Sequence, residues 1–337
     1  MPPVPPEFRK QAMATEAPAL PASLTKGRRP AGLIADRGFR VVALLAGLTV
    51  LVILALIAIY TTREAWPWFS AEGLGIFSDN WDPAHQQFGA GGLIYGTLLV
   101  AGVAVLFSLP ISVGIALFVT DVAPERIRRP IVYTVDLLAA IPSVVYGLWA
   151  LFVLAEPLSS LFQSLSDATA SIPILKTLFA NPSASGKSFM TAGIIVAIMI
   201  TPIITSITRE VFATVPQSQK EAALALGATR WEMIRGAVFP HSRSGMVAGT
   251  MIGLGRAMGE TIAIALVIGS SPRITANIFG PGDTLASIIA NQFGEASGEH
   301  RAALIGCGVV LFALTILISM AARAVVSRAD RRSAGTG

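Results

Sequence analysis

The chain has 337 residues, 53% of them hydrophobic and only 13% charged, with a formal net charge of +5. A soluble domain of this size carries roughly twice that charged share, so a soluble globular protein is excluded. A single cysteine, Cys307, excludes a disulfide framework or a thiolate metal cage, and His85, His241 and His300 match no ligand spacing.

In chain order, residues 1–40 are rich in Pro and Ala, lack an apolar run and read as a disordered cytoplasmic tail. They do not read as a cleaved signal, because the first apolar run starts late and is about 20 residues long. That run, 41–60, predicts the first transmembrane helix, followed by an extracytoplasmic loop at 61–91. Trp66, Trp68, Phe69 and Trp81 in this loop are expected to anchor it at the membrane interface. Uncharged stretches follow at 92–120, 137–155, 188–208 and 302–322, each reaching or approaching the roughly 20 residues that span a bilayer. A sixth, about 246–270, is apolar except for Arg256 and Glu260. The fold class is therefore an all-α polytopic membrane protein with six transmembrane helices. Pro110, Pro142 and Pro202 fall inside spans and predict kinks. No internal repeat stands out.

Charge sets the orientation. Alternating the loops between the two sides places 19 of the 25 Lys and Arg residues on one side and five on the other, with Arg256 inside a span. Basic residues collect on the cytoplasmic face, so both termini, including the tail at 323–337, are expected there. The pI near 9.7 reflects these loops and implies no nucleic-acid partner.

The longest cytoplasmic stretch between spans, 209–244, should form two short helices. Pro216 can open the first, Glu221 lies in its early turns, and Gly227 permits a left-handed turn. A second helix at about 229–238 is expected to end before Pro240. Such a bent knob can dock in a groove of another protein and move as a rigid body. Glu221, Ala222 and Ala223, then Gly227 and Pro240, resemble the EAA loop of ABC-importer permeases, with Ala237 and Phe239 where that pattern prefers Ile and Leu. The resemblance implies that the loop enters a cleft on an ATPase subunit.

The fifth span carries the second candidate site. Arg256 lies near the bilayer middle, where an unpaired guanidinium costs several kcal/mol. Glu260, four residues on, is expected on the same helix face. Gly249, Gly253, Gly255 and Gly259 permit close approach of a backbone or a permeant. Two readings stay open: a neutralised ion pair joining helices, or an anion path in which Arg256 offers a planar fork to an oxyanion. The run GRAMGETIA resembles the fifth-span motif of phosphate permeases of the Pst system. There the Arg and Glu positions are implicated in transport, and Thr261 leans toward phosphate. Residues 108–130 and 141–158 also resemble the C-type subunit of that type I permease family, and the likeness covers about residues 40–325.

That resemblance implies a transmembrane permease subunit, at 92–322, of an ATP-driven phosphate importer in the bacterial inner membrane. The implied partners are an A-type permease forming a heterodimer, two ATPase subunits that carry ATP and Mg, an extracytoplasmic phosphate-binding protein, phosphate and the lipid bilayer. The chain itself would be no enzyme and hold no cofactor or metal. A sulfate or molybdate permease is the alternative, and an ion-coupled secondary transporter explains the Arg256 and Glu260 charges but not the loop. Asp136 could line the path or sit as a solvated interfacial acid. Asn181–Ser188, NPSASGKS, imitates the end of a Walker A loop but lacks its first glycine and a preceding strand.

Overall fold

The computed structural model describes residues 30–334, with side chains from 36 to 324. The greater part of the expected tail, 1–29, lies outside the described residues. The chain divides into two units, up to Ala58 and from Ile59 onward. The first unit is described only as helix, the leading part of α1 (Pro30–Glu72). Its apolar side chains from Val41 to Ile57 are exposed on all sides, as a lipid-facing span requires. The helix thus starts before residue 41 and runs past 60, because no Pro or Gly cluster interrupts it at either point.

In the second unit, the end of α1 leads into a short hairpin of β1 (Trp81–Asp82) and β2 (Gln87–Phe88), paired antiparallel. Asp82 caps the turn, and its hydrogen bond to His85 holds its carboxyl below the usual carboxylate range. Residues 61–91 are therefore helix and hairpin rather than loop. The aromatic residues also correct the anchoring expectation. Trp66 is exposed, but Trp68 and Trp81 are core residues, packed with Phe88, Leu93, Leu304 and Cys307. Their indole N–H groups donate to the Phe88 carbonyl and to Gln292, both at 3.0 Å, which is what lets two Trp be buried.

The bundle is built from α2 (Gly91–Leu117), α3 (Glu125–Ala140), α4 (Ser143–Trp149), α5 (Ala155–Thr169), α6 (Pro173–Leu178) and α7 (Phe189–Ala213). It continues through α8 (Gln217–Ala225), α9 (Arg230–Met233), α10 (Phe239–Gly259), α11 (Ile262–Val267), α12 (Leu285–Gln292) and α13 (Gly298–Ala334). Wide π-turns follow α2, α4 and α9. Pro110 and Pro202 lie inside helices, whereas Pro142 separates α3 from α4. The basic second loop is thus a helix, α3, and residues 137–140 belong to it rather than to the third span.

Among the described residues, five helices are long and apolar enough to cross a membrane: Asp36–Phe77, Gly91–Val122, Ser143–Thr169, Phe189–Ala213 and Gly298–Ala324. The sixth expected span is not one helix, since it is broken between Gly259 and Ile262.

At the centre α2 runs along α7, and α10 packs on both. Gly245, Gly249 and Gly253 recur every fourth residue of α10 and face Val211, Ile207 and Ile204 of α7. A methyl on Gly253 would stand 2.7 Å from Ile204, so the helices meet backbone to side chain. At the far end from α8, the first amides of α7 are satisfied by the loop after α11: Phe189 N–H donates to Gly280 and Met190 N–H to Ile278. The Walker-like segment ends in this cap. The Ser188 hydroxyl accepts from Thr191 N–H, and no strand precedes it among the described residues.

Gly96 of α2 lies where an added methyl would strike the Asp283 backbone carbonyl, whereas Gly102 on the same helix faces open space. Gly96→Ala should therefore destabilise the chain by about 1–3 kcal/mol through overpacking. Gly102→Ala should leave it unchanged or slightly stabilised. Thermal unfolding of the two variants in detergent, followed by size-exclusion fluorescence, checks this; equal melting temperatures would contradict it.

Candidate functional site

Two groups of residues carry the candidate site, at opposite ends of α10. At the first, Pro216 opens α8, which ends at Ala225 with Leu226 as its cap. Its C-terminus is a Schellman motif: Ala228 N–H donates to the Ala223 carbonyl at 3.2 Å and Gly227 N–H to that of Leu224 at 3.0 Å. Gly227 adopts φ +86°, and an added side chain would meet nothing within 4 Å. Glycine is required there by backbone conformation rather than by space. The spacing from Ala223 to Gly227 is that from the third-last helical residue to the left-handed residue beyond the cap.

Thr229 then caps α9 with a reciprocal bond to Glu232, whose carboxyl is held below the usual range by the Thr229 amide and hydroxyl. Glu221 and Ala222 are exposed, Ala223 half-buried against the cluster around Phe212 and Met233. Leu226 is 90% and Trp231 59% exposed, a large apolar surface on the tip of the turn. Pro240 does not end the helix as expected. The π-turn Ile234–Val238 precedes it and Pro240 falls in the first turn of α10, so helix runs unbroken from Arg230 to Gly259. The loop at 209–244 correspondingly contracts: Arg209 belongs to α7 and Arg243 to α10.

One contact was missed from sequence. Lys220 Nζ lies 2.6 Å from Asp121 Oδ1, with side chains 13% and 9% exposed. Thr120 donates to the other oxygen at 2.8 Å. This charge-assisted bond joins α8 to the π-turn after α2. The two residues are 99 positions apart, and nothing in either segment advertises the pairing.

At the second group, Arg256 and Glu260 do not share a helix face. Arg256 is in the last turn of α10, and Glu260 follows the helix in extended conformation (φ −67°, ψ 127°). Arg256 is exposed and Glu260 buried, and neither joins an ion pair among the described residues. The ion-pair reading thus has no contact behind it. Each charge instead meets a helix end. Arg256 is carried in the last turn of α10, and Glu260 Oε1 accepts from Ala263 N–H at 3.4 Å in the first turn of α11. Thr261 donates to the Gly259 carbonyl at 3.1 Å, closing the break.

Gly255 and Gly259, one turn apart beside Arg256, face open space, unlike the packed face at Gly245, Gly249 and Gly253. The Arg256 charge also reaches the Tyr146 hydroxyl of α4, a neighbour the sequence did not signal. Tyr146 donates to the Leu138 carbonyl at 3.0 Å, across the Pro142 break. Asp136 is exposed on α3. Among the described residues no group of His, Cys, Asp or Glu could hold a metal.

The family described as binding-protein-dependent transport system inner membrane component matches residues 111–331. The Phosphate transport system permease protein PstC of Mesorhizobium japonicum is 42% identical over 303 residues, 89% of this chain and 92% of the relative. PstC 2 of Mycobacterium tuberculosis is 42% identical over 320 residues, 93% and 98% of the two chains. PstC of Haemophilus influenzae is 40% identical over 292 residues, covering 86% and 92%. Among solved structures, a chain of the bacterial alginate ABC transporter aligns with TM-score 0.56 at 16% identity, over 89% of this chain and 98% of that one. A chain of the inward-facing MetNI methionine ABC transporter aligns at 0.53 with 18% identity, over 74% and 99%. The fold is accordingly that of type I ABC importer permeases, with a multi-pass helical membrane domain. The chain belongs to the binding-protein-dependent transport system inner membrane component family.

Proposed function

We propose that the chain is the transmembrane permease subunit of an ABC importer that moves inorganic phosphate into the cytoplasm of a bacterium. The observation that carries this reading is the broken helix, which holds Arg256 unpaired over an open face one turn from Glu260. Phosphate permeases at about 40% identity support phosphate over sulfate or molybdate. ATP and Mg would be held by two partner ATPase subunits, with an A-type permease completing a heterodimer and an extracytoplasmic binding protein delivering the anion.

The residues divide the work. Leu226 and Trp231 present apolar anchors around the Gly227 turn, and a cleft on the ATPase would enclose them. The Lys220–Asp121 bond passes a displacement of α8 to the end of α2. At the other end of α10, the Arg256 fork can donate to two phosphate oxygens, lowering the barrier for an anion inside the bilayer. Glu260, fixed by the α11 amide, limits how tightly the anion is held, and the Thr261 hydroxyl can turn to donate to it.

Uptake by the reconstituted complex tests the reading. Phosphate should accumulate on ATP addition, and sulfate and molybdate should not compete at equal concentration. Arg256→Gln should abolish uptake while the complex assembles, and neutralising Glu260 to Gln as well should not restore it. Arg256→Lys should retain partial activity, since it keeps charge without the fork. Near wild-type uptake by the double neutral variant would remove Arg256 from the path.

Coupling has its own test. Gly227→Val forces a β-branched residue into left-handed backbone and should leave ATP hydrolysis without matching transport, while Gly227→Asn keeps the turn and most of the activity. Equal transport by both variants would detach the turn from coupling.

Orientation follows from labelling, with Cys307 fully buried and silent. Ser185→Cys should react with an impermeant maleimide from outside intact cells, and Ser218→Cys only after the cytoplasmic face is opened. Outside labelling of Ser218→Cys would invert the proposed topology.

A further inference from the structure

The crevice between α2, α3 and α7 is used by neither group of site residues. Over its deeper part it is a trough of about 400 Å³ lined by Phe107, Ile111, Ile115, Val135, Leu138 and Ile198 among others. Thr201 is the one lining residue with a polar side chain, and its hydroxyl is already spent on the Ala197 carbonyl at 2.7 Å. From Ile115 back to Phe107 the wall runs about 12 Å along α2.

One turn beyond Ile115, the π-turn after α2 forms a second cavity of about 370 Å³ with α3, α7 and α8, and its lining is different. Here Arg128 of α3, Arg209 of α7 and Lys220 of α8 converge, with Glu210 as the single acid in the wall. Lys220 is engaged by Asp121, and Arg128 gives one N–H to the Thr120 carbonyl at 3.3 Å. Among the described ion pairs none includes Arg128 or Arg209, so two guanidiniums face this mouth without a carboxylate of their own. The mouth lies at the end of the bundle that carries α8.

We infer that the α2–α3–α7 crevice is a binding site for one anionic phospholipid, its phosphate held by Arg128 and Arg209 and an acyl chain laid in the trough between Ile115 and Phe107. Charge complementarity chooses the head group, and the apolar trough chooses a lipid over a free anion. A small hydrophilic anion would fill the mouth and leave the trough without an occupant. Basic pockets between transmembrane helices recognise anionic head groups by this chemistry. The site ties lipid to the Lys220–Asp121 contact, since Lys220 lines the same mouth.

Native mass spectrometry of the assembled transporter, delipidated in detergent and titrated with dioleoyl phosphatidylglycerol or phosphatidylcholine, tests the inference. Phosphatidylglycerol should be retained about tenfold more tightly or better, as expected of two guanidiniums near a head group. The Arg128→Gln/Arg209→Gln variant should lose that preference. Leu138→Trp, which fills the trough and leaves the charges intact, should weaken retention of phosphatidylglycerol. Equal retention of the two lipids by the wild-type complex would overturn the site. Displacement of phosphatidylglycerol by millimolar inorganic phosphate would overturn it in favour of a free-anion pocket. Undiminished preference in the double variant would place the lipid elsewhere.

Discussion

In a low-dielectric bundle every charge and every unpaired peptide group needs compensation within reach, and the break between α10 and α11 meets both needs at once. Ending α10 at Gly259 exposes carbonyls at the end of the turn that carries the Arg256 charge; starting α11 at Ile262 exposes amides, and the Glu260 carboxylate accepts from that of Ala263. A continuous helix would leave Arg256 and Glu260 to neutralise each other, and the guanidinium would be spent on the carboxylate. The interruption keeps the cation available while still satisfying the backbone. Irregular backbone at membrane depth is tolerated where it lines a cavity or is buried in protein.

The close seam of α10 on α7 serves the same end. With Gly245, Gly249 and Gly253 turned inward, α10 still carries Ile252, Arg256 and Gly259 unburied, and Gly255 and Gly259 face open space. One helix thereby holds an immobile face and an open one. Where the seam continues toward the far end, Phe189 fills the space left by Gly282 and Gly96, and the loop after α11 closes over the first turn of α7.

Much of this was legible in the sequence, for physical reasons that also mark where legibility stopped. Five spans declared themselves through uncharged length, because burying a helix in lipid requires it. The turn at Gly227 was legible because left-handed backbone singles out glycine. The break at Glu260 was not, since no proline marks it and the only local sign was the weak helix propensity of Gly255 and Gly259. Pro240 misled in the opposite direction: a proline that ends most helices was absorbed by the π-turn before it. Trp68 and Trp81 were read as surface anchors because their core is assembled from α12 and α13, about 200 residues away. The Lys220–Asp121 and Arg256–Tyr146 neighbours are likewise products of tertiary packing, with no local pattern to reveal them.

The unbroken helix from Arg230 to Gly259 has a mechanical consequence. Thirty residues at 1.5 Å each make a rod of about 45 Å. Its lower end carries Trp231, its upper end Arg256, and the glycine seam with α7 lies between them as a fulcrum. A tilt of about 5° about Gly249 moves the Trp231 end by about 2 Å and the Arg256 end by about 1 Å, enough to lengthen a hydrogen bond past its limit. Small rotations at the tip are thus enough to make or break contacts at the guanidinium, with gearing set by where along the rod the seam grips.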